Sequence, residues 1–464
     1  MELLSTVRCD LGLLNKYDQP LPRYTSYPPA TEFSSELTPE RFQQALAKGN
    51  DQQIPLSLYC HIPFCETPCF FCGCNTVITQ RKQVADPYLQ YLIRNIRQVA
   101  EQVGSDRNVH QLHWGGGTPN YLSWPQIELL WNALQDAFSF DPAAEISIEV
   151  NPCYIDRNTV FFLRELGFNR ISFGIQDFDP QVQIAVNRIQ SEELLFNVIS
   201  WIQEADFDSV NVDLIYGLPH QTVTTFANTV QKTIQLNPDR IAVFNFAYMP
   251  QLIPVQRQLP AHALPHKAEK LEMLQQTIDQ LEGNGYRFIG MDHFAKPKDE
   301  LALAQTAGQL HRNFQGYTTK PESDLLGFGL SAISMLQDVY TQNHKRLKDY
   351  YHALDTTPFP IAKGVGLSED DQVRRAVIME LMCQFQLSQV ALEEKYQLKF
   401  DPDFEQYFAS EKTALQALAA DGLVELSPNQ IQVTPTGRLL IRNIAAVFDI
   451  YLQSHADQRF SQSI

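Results

Sequence analysis

Residues 56–74 read Leu-Ser-Leu-Tyr-Cys-His-Ile-Pro-Phe-Cys-Glu-Thr-Pro-Cys-Phe-Phe-Cys-Gly-Cys. Leu56–Ile62 is a strand-length apolar run, and the loop after it carries Cys65, Cys69 and Cys72. Five of the eight cysteines (Cys60, Cys65, Cys69, Cys72, Cys74) crowd into this stretch, while Cys9, Cys153 and Cys383 are scattered and read as small buried hydrophobes. A disulfide framework does not suit a long chain without a secretion signal; thiols packed this closely bind metal or do redox chemistry.

Working outward, the same strand opens a series. Leu56–Ile62, His110–Trp114, Glu145–Val150, Arg170–Ile175, Ser209–Tyr216 and Arg240–Ala247 are strand candidates, with helices expected near 86–103, 124–138, 156–166, 192–205, 222–236 and 266–284. In the first helix Asp86 suits the N-cap and Pro87 the first helical position. Leu89, Leu92, Ile93, Ile96, Ala100 and Val103 keep the helical period, and Gly104 can stop it. Six βα units in a row predict a parallel sheet with helices outside, and Tyr286–Met291 a further strand extending it. Active sites in such sheets lie at the carboxyl ends of the strands.

After about residue 350 the pattern changes. Ser368 and Asp371 form a capping box for a helix through Met382, and Leu423–Leu426 with Ile431–Thr434 read as a hairpin before a last helix around Gly437–Tyr451. The arrangement is winged-helix-like, but the chain carries 36 Lys and Arg against 53 Asp and Glu, a formal charge of −17. Nucleic acid and anionic membrane both need a basic face, so a cap or lid over the barrel is the expected role. The expected division is an N-terminal covering segment over 1–50, a barrel over 51–345 and a mainly helical domain over 346–464. Residues 1–10 lack a signal-peptide core, and no apolar run nears the roughly 18 residues of a membrane helix. A cytoplasmic location is expected.

Cys65-x-x-x-Cys69-x-x-Cys72 has no second C-x-x-C pair, as zinc would want. Three thiolates on one loop can hold three corners of a cubane iron–sulfur cluster, leaving the fourth iron open to a substrate ligand. Gly115-Gly116-Gly117-Thr118-Pro119 directly follows the second strand, where glycines let backbone N–H and C=O groups approach an amino-acid head group. Glu149, Gln176, Arg188, Asp213 and Ala247 repeat the theme at the ends of later strands, and their joint placement at one rim marks a site.

Tyr59-x-His61-x-Pro63-Phe64-Cys65-x-x-x-Cys69-x-Phe71-Cys72-x-Cys74 and the Gly-Gly-Gly-Thr-Pro run resemble the radical S-adenosylmethionine enzymes. The closer resemblance is to the oxygen-independent coproporphyrinogen III oxidases. Arg23-Tyr24-Thr25-Ser26-Tyr27-Pro28, Gly290–Ala295, Leu310–Tyr317 and Gly329–Ser334 also carry it, from about residue 20 to the C-terminus. Two departures, Pro29 and Cys60, remove no motif residue. The resemblance implies an α/β fold, a partial (β/α)6-type TIM barrel. It implies a 4Fe-4S cluster on Cys65, Cys69 and Cys72, with Cys74 outside the ligand set, and two molecules of S-adenosylmethionine. Tyr59, Gly116, Glu149 and Ile333 would touch the cluster-bound one; Phe71, Gly117, Thr118, Gln176, Arg188, Asp213 and Ala247 would hold the second. A 5′-deoxyadenosyl radical would abstract hydrogen from a propionate β-carbon, and two oxidative decarboxylations would convert coproporphyrinogen III to protoporphyrinogen IX. A one-electron donor such as flavodoxin or ferredoxin and a monomeric state are expected, with Arg23, Lys296 and Arg312 as candidate partners of the substrate carboxylates. The competing readings are a haem-delivery homologue that keeps the cluster without decarboxylation, and a winged-helix regulator with an iron–sulfur sensor. Cys72-x-Cys74, Phe314-Gln315 and the Arg-Tyr-Thr-Ser-Tyr-Pro run favour the enzyme over the first; the βα series and glycine run oppose the second.

Overall fold

The computed structural model describes residues 7–320, 323–396, 400, 404–452 and 460–463. Twelve strands form one sheet: β1 Leu56–Ile62, β2 Val109–Gly116, β3 Phe140–Val150, β4 Arg170–Gln176, β5 Ser209–Tyr216, β6 Arg240–Asn245, β7 Arg287–Gly290, β8 His293–Ala295, β9 Asp324–Phe328, β10 Ile333–Met335, β11 Val339–Asn343 and β12 Ile361–Gly366. Their order is β12-β11-β10-β9-β1-β2-β3-β4-β5-β6-β8-β7. β9 and β1 to β6 are parallel, and the flanks on both sides are antiparallel.

Period two builds the barrel. Leu58, Cys60, Leu112, Trp114, Ile148, Phe173 and Val212 are buried among the core residues. The alternate positions, Tyr59, His113, Ser147, Glu149, Ser172, Asn211 and Asp213, line cavities on the lumen side. Apolar burial of one set holds the sheet together and leaves the other free for chemistry.

The strand expected over Tyr286–Met291 exists as β7, but it does not extend the parallel run. Only Met291 and Asp292 separate it from β8, a link too short for a crossover, so the two form an antiparallel hairpin with β8 against β6. The large sheet also continues past residue 346, through β12, before the helix Glu369–Gln384 begins the C-terminal part. That helix has the expected capping box, Asp371 N donating to Ser368 Oγ at 3.1 Å and Ser368 N to Asp371 Oδ2 at 2.9 Å. The expected hairpin forms with a third strand, Gln386–Ser388, beside it. The last helix is shorter than expected: a 3-10 turn Gly437–Leu440 and one helical stretch Ile441–Ala446.

The N-terminal segment pairs with residues 461–463. Leu21 N donates to Ser461 O at 3.1 Å and Ser463 N to Gln19 O at 2.8 Å, so residues 19–21 and 461–463 lie side by side as a two-stranded strap. Arg442 fastens it by donating to the carbonyls of Leu21, Pro22, Ser461 and Gln462.

Candidate active site at the barrel mouth

Pro63 ends β1 and turns the chain into the cysteine loop, whose return is pinned by Val77 N to Pro63 O at 2.7 Å and Thr79 N to Cys65 O at 2.9 Å. The glycine run packs directly against it. A Cβ on Gly117 would stand 2.7 Å from the Pro63 backbone, so glycine is what lets the two loops meet. Thr118 Oγ1 reaches Cys65 Sγ at 3.3 Å, and Arg188 Nη1 donates to Cys69 Sγ at 3.6 Å. The Cys74 thiol and amide, together with Arg188, pull the Cys72 thiol down to about 7, while burial pushes Cys65 up to about 11. Among the described residues no three His, Cys, Asp or Glu side chains group closely enough for a single metal ion. The donor set is three thiols on one short loop, one drawn toward thiolate and another against a guanidinium. Soft sulfur donors of this kind fit an iron–sulfur centre.

Beside the loop, Tyr59, Gly116, Glu149 and Ile333 line one cavity of ≈ 310 Å³ together with His61, His113, Phe314 and Gln315. Glu149 is held by His113 Nε2 at 3.3 Å and by Gly116 N at 3.3 Å. Burial alone would raise its pKa, but the His113 and Gly116 contacts outweigh this and keep it below the ordinary carboxylate value. His113 is oriented by Ser147 Oγ at 2.6 Å and stacks on Tyr59, ring centroids 5.8 Å apart. Tyr59 OH meets His61 Nδ1 at 3.0 Å, and the other ring nitrogen of His61 faces Asn75 O at 3.0 Å. Burial lowers the His61 pKa, so the ring is neutral and braces the tyrosine.

Of the second expected set, Gln176, Arg188 and Asp213 gather around Gly174. Arg188 Nη2 donates to Gly174 O at 2.9 Å; the Gln176 amide folds over the same residue, and Asp213 faces it in register on β5. Gln176 Oε1 is buried without a hydrogen-bond partner, an acceptor in want of a donor. Asp213 is pushed up to about 7 by burial, only partly offset by the hydrogen bond from Asn211. Phe71 and Ala247 are joined through Gln256, whose Nε2 donates to both carbonyls, at 3.4 and 3.1 Å.

Of the three cationic candidates for the substrate, Lys296 lies elsewhere. It follows β8, which runs back toward the start of β6, and its Nζ bonds Asn237 O at 2.8 Å and Asp239 Oδ1 at 3.3 Å. Arg23 pairs with Asp292 at the mouth, and Arg312 is buried over the Tyr317 ring. His61 was read only as part of the cysteine motif, and His113 and Gln256 were not singled out in the sequence. His113 could have been found, since it falls on the lumen side of β2, two residues before the glycine run.

A profile of the Radical SAM superfamily matches residues 59–233, and one of the HemN C-terminal domain matches 367–440. The chain is 63% identical over 460 residues, 99% of both chains, to an oxygen-independent coproporphyrinogen III oxidase of Synechocystis sp.. It is 49% identical to the protein of that name from Escherichia coli, over 98% of both. A solved structure described as coproporphyrinogen III oxidase (HemN) from Escherichia coli, a radical SAM enzyme, superposes with a TM-score of 0.91 at 48% identity, covering 97% of this chain and 100% of that one.

Proposed function

The chain belongs to the radical S-adenosylmethionine superfamily, within the oxygen-independent coproporphyrinogen III oxidase family, and from that premise we propose how its residues divide the work. The reaction is the anaerobic oxidative decarboxylation of two propionate side chains of coproporphyrinogen III to vinyl groups, giving protoporphyrinogen IX in porphyrin biosynthesis. Its cofactors are a 4Fe-4S cluster and S-adenosylmethionine, two molecules in our reading. When bound, they supply the one-electron chemistry that removes hydrogen from a propionate side chain.

Cys65, Cys69 and Cys72 would hold the cluster, with Cys74 and Arg188 favouring the Cys72 thiolate. Glu149, kept anionic by His113 and Gly116, offers a carboxylate to the ammonium of the first S-adenosylmethionine. Tyr59 and Ile333 flank that molecule, and Gly116 brings backbone within reach. Phe71, Gly117, Thr118, Gln176, Arg188, Asp213 and Ala247 receive the second. The strap and the N-terminal segment keep water from the lumen, where a reactive intermediate would otherwise be quenched.

The observation that carries this reading is the convergence of Tyr59, Gly116 and Glu149 on one cavity beside the three-thiol loop. The haem-delivery alternative is not favoured, since the relatives carry the oxidase name. A flavodoxin- or ferredoxin-like donor, a monomeric state and a cytoplasmic location complete the proposal; among the described residues no helix is long and apolar enough to cross a membrane. The test is an anaerobic assay of the reconstituted protein with coproporphyrinogen III, S-adenosylmethionine and a reductant. Protoporphyrinogen IX is the expected product, and its absence with a loaded cluster would reject the reading.

A further inference from the structure

A cavity of ≈ 280 Å³ opens at the ends of β5 and β6, where Tyr216, Asn245 and Ala247 line it and residues 460–463 of the strap close it. Through Ala247 it adjoins the place assigned to the second S-adenosylmethionine. Among the described residues its charges do not balance: Arg23, Lys270 and Arg442 line it against one carboxylate, Asp292. Asp292 is taken by Arg23, and the Arg442 guanidinium is turned onto strap carbonyls.

Lys270 is placed differently. It rises from the helix Lys267–Gly283, and its stem passes over Gly217, where a Cβ would stand 2.7 Å from Lys270 Cε. Gly217 also has φ +88°, so the position favours glycine twice over, and that residue opens the lysine's path. At the cavity wall Nζ donates to Phe246 O at 3.1 Å, using one of three N–H bonds. The carboxylate of Asp18, which faces this helix, is paired with Lys267 at 2.8 Å. Burial lowers Lys270 to about 8, with the charge of Asp18 only partly offsetting it. Asn245 Oδ1, in the same wall, is a buried acceptor that no donor among the described residues reaches.

A ligand that satisfies this wall brings a carboxylate and an N–H group. We propose that Lys270 forms a carboxylate clamp for a propionate that the reaction leaves intact, with Asn245 facing a pyrrole N–H. The inference rests on the reaction assigned above, whose substrate has four propionates and loses two.

The test uses the holoenzyme and coproporphyrin III, the stable oxidised form of the substrate, with its tetramethyl ester as the uncharged control. Lys270→Met should weaken coproporphyrin III binding roughly tenfold, as expected for loss of a charge-assisted hydrogen bond. Lys270→Arg should keep most of the affinity, and the ester should bind wild type and Lys270→Met alike. In turnover, KM should rise while kcat stays within about twofold, with cluster absorbance and S-adenosylmethionine affinity unchanged. Unaltered coproporphyrin III binding by Lys270→Met would overturn the clamp, as would an equal loss for the ester or a loss shifted to S-adenosylmethionine. Wild-type turnover with those outcomes removes the clamp alone. A loaded wild type that forms no product removes the assigned reaction and the clamp with it.

Discussion

Cys72 and Asp213 show how single residues are tuned in opposite senses: one thiol eased toward its anion, one carboxylate held back from it. Changing Cys65, Cys69 or Cys72 to Ala should abolish the visible iron–sulfur absorbance after anaerobic reconstitution, because two thiolates no longer anchor the cluster. Cys153→Ala and Cys383→Ala should retain it; retention in Cys69→Ala would reject the ligand set. For Asp213 the sign follows from burial. Its folded pKa of about 7 lies above the ordinary 3.8, so between those values the folded chain binds the extra proton. Stability from this group is complete at low pH and is lost as pH rises toward 7. Cofactor-free Asp213→Asn should therefore melt above wild type at pH 8, and the gap should close by about pH 4; a pH-independent gap would contradict the burial argument. The same variant, loaded with cluster, should lose most product formation, since Asp213 is assigned to the second S-adenosylmethionine. The thiol loop was legible because spacing along one loop is written in sequence. Lys270 was not: it reaches its cavity from a helix, past a glycine more than fifty positions earlier.

Among the elements, the six strands β1 to β6 were readable because each is a short apolar run followed by a helix of ordinary length. β9 to β12 were not. β9, Asp-Leu-Leu-Gly-Phe, has a glycine inside it and no βα period to announce it, yet it lies parallel against β1. Its place is set by an ion pair: Asp324 Oδ2 accepts from Arg107 Nη2 at 2.5 Å, with Arg107 fully buried and Asp324 nearly so. Arg107 also donates to Ile54 O at 2.6 Å and Asn50 Oδ1 at 3.0 Å, tying the start of β1 to β9. Removing one partner of a buried pair leaves the other charge uncompensated. Arg107→Met should cost about 3–5 kcal/mol in denaturant unfolding. Asp324→Asn should cost less, because burial already raises Asp324 to about 6 and its neutral form is nearer at hand. Equal costs would show that packing, not charge, sets the register here.

At the scale of the molecule, the net charge of −17 and the placement of the C-terminal part agree. Its helix Glu369–Gln384 packs on Ile441–Ala446 and its Tyr451 reaches Asp371 at 2.8 Å, and we read the wing-like hairpin as part of a lid rather than a reader of DNA. The intact protein should show no salt-dependent, submicromolar affinity for a defined duplex in a gel-shift titration. What sequence patterning could not convey was that the two ends of the described chain meet. Gln19 N bonds Ser463 Oγ at 3.2 Å across 444 positions, and no local periodicity encodes such a pairing. That meeting imposes an order on biogenesis. A ribosome releases residues 19–23 and the whole thiol loop long before it makes residues 460–463, so a nascent barrel stays uncapped throughout its synthesis. The strap is therefore among the last contacts that the folding chain can make.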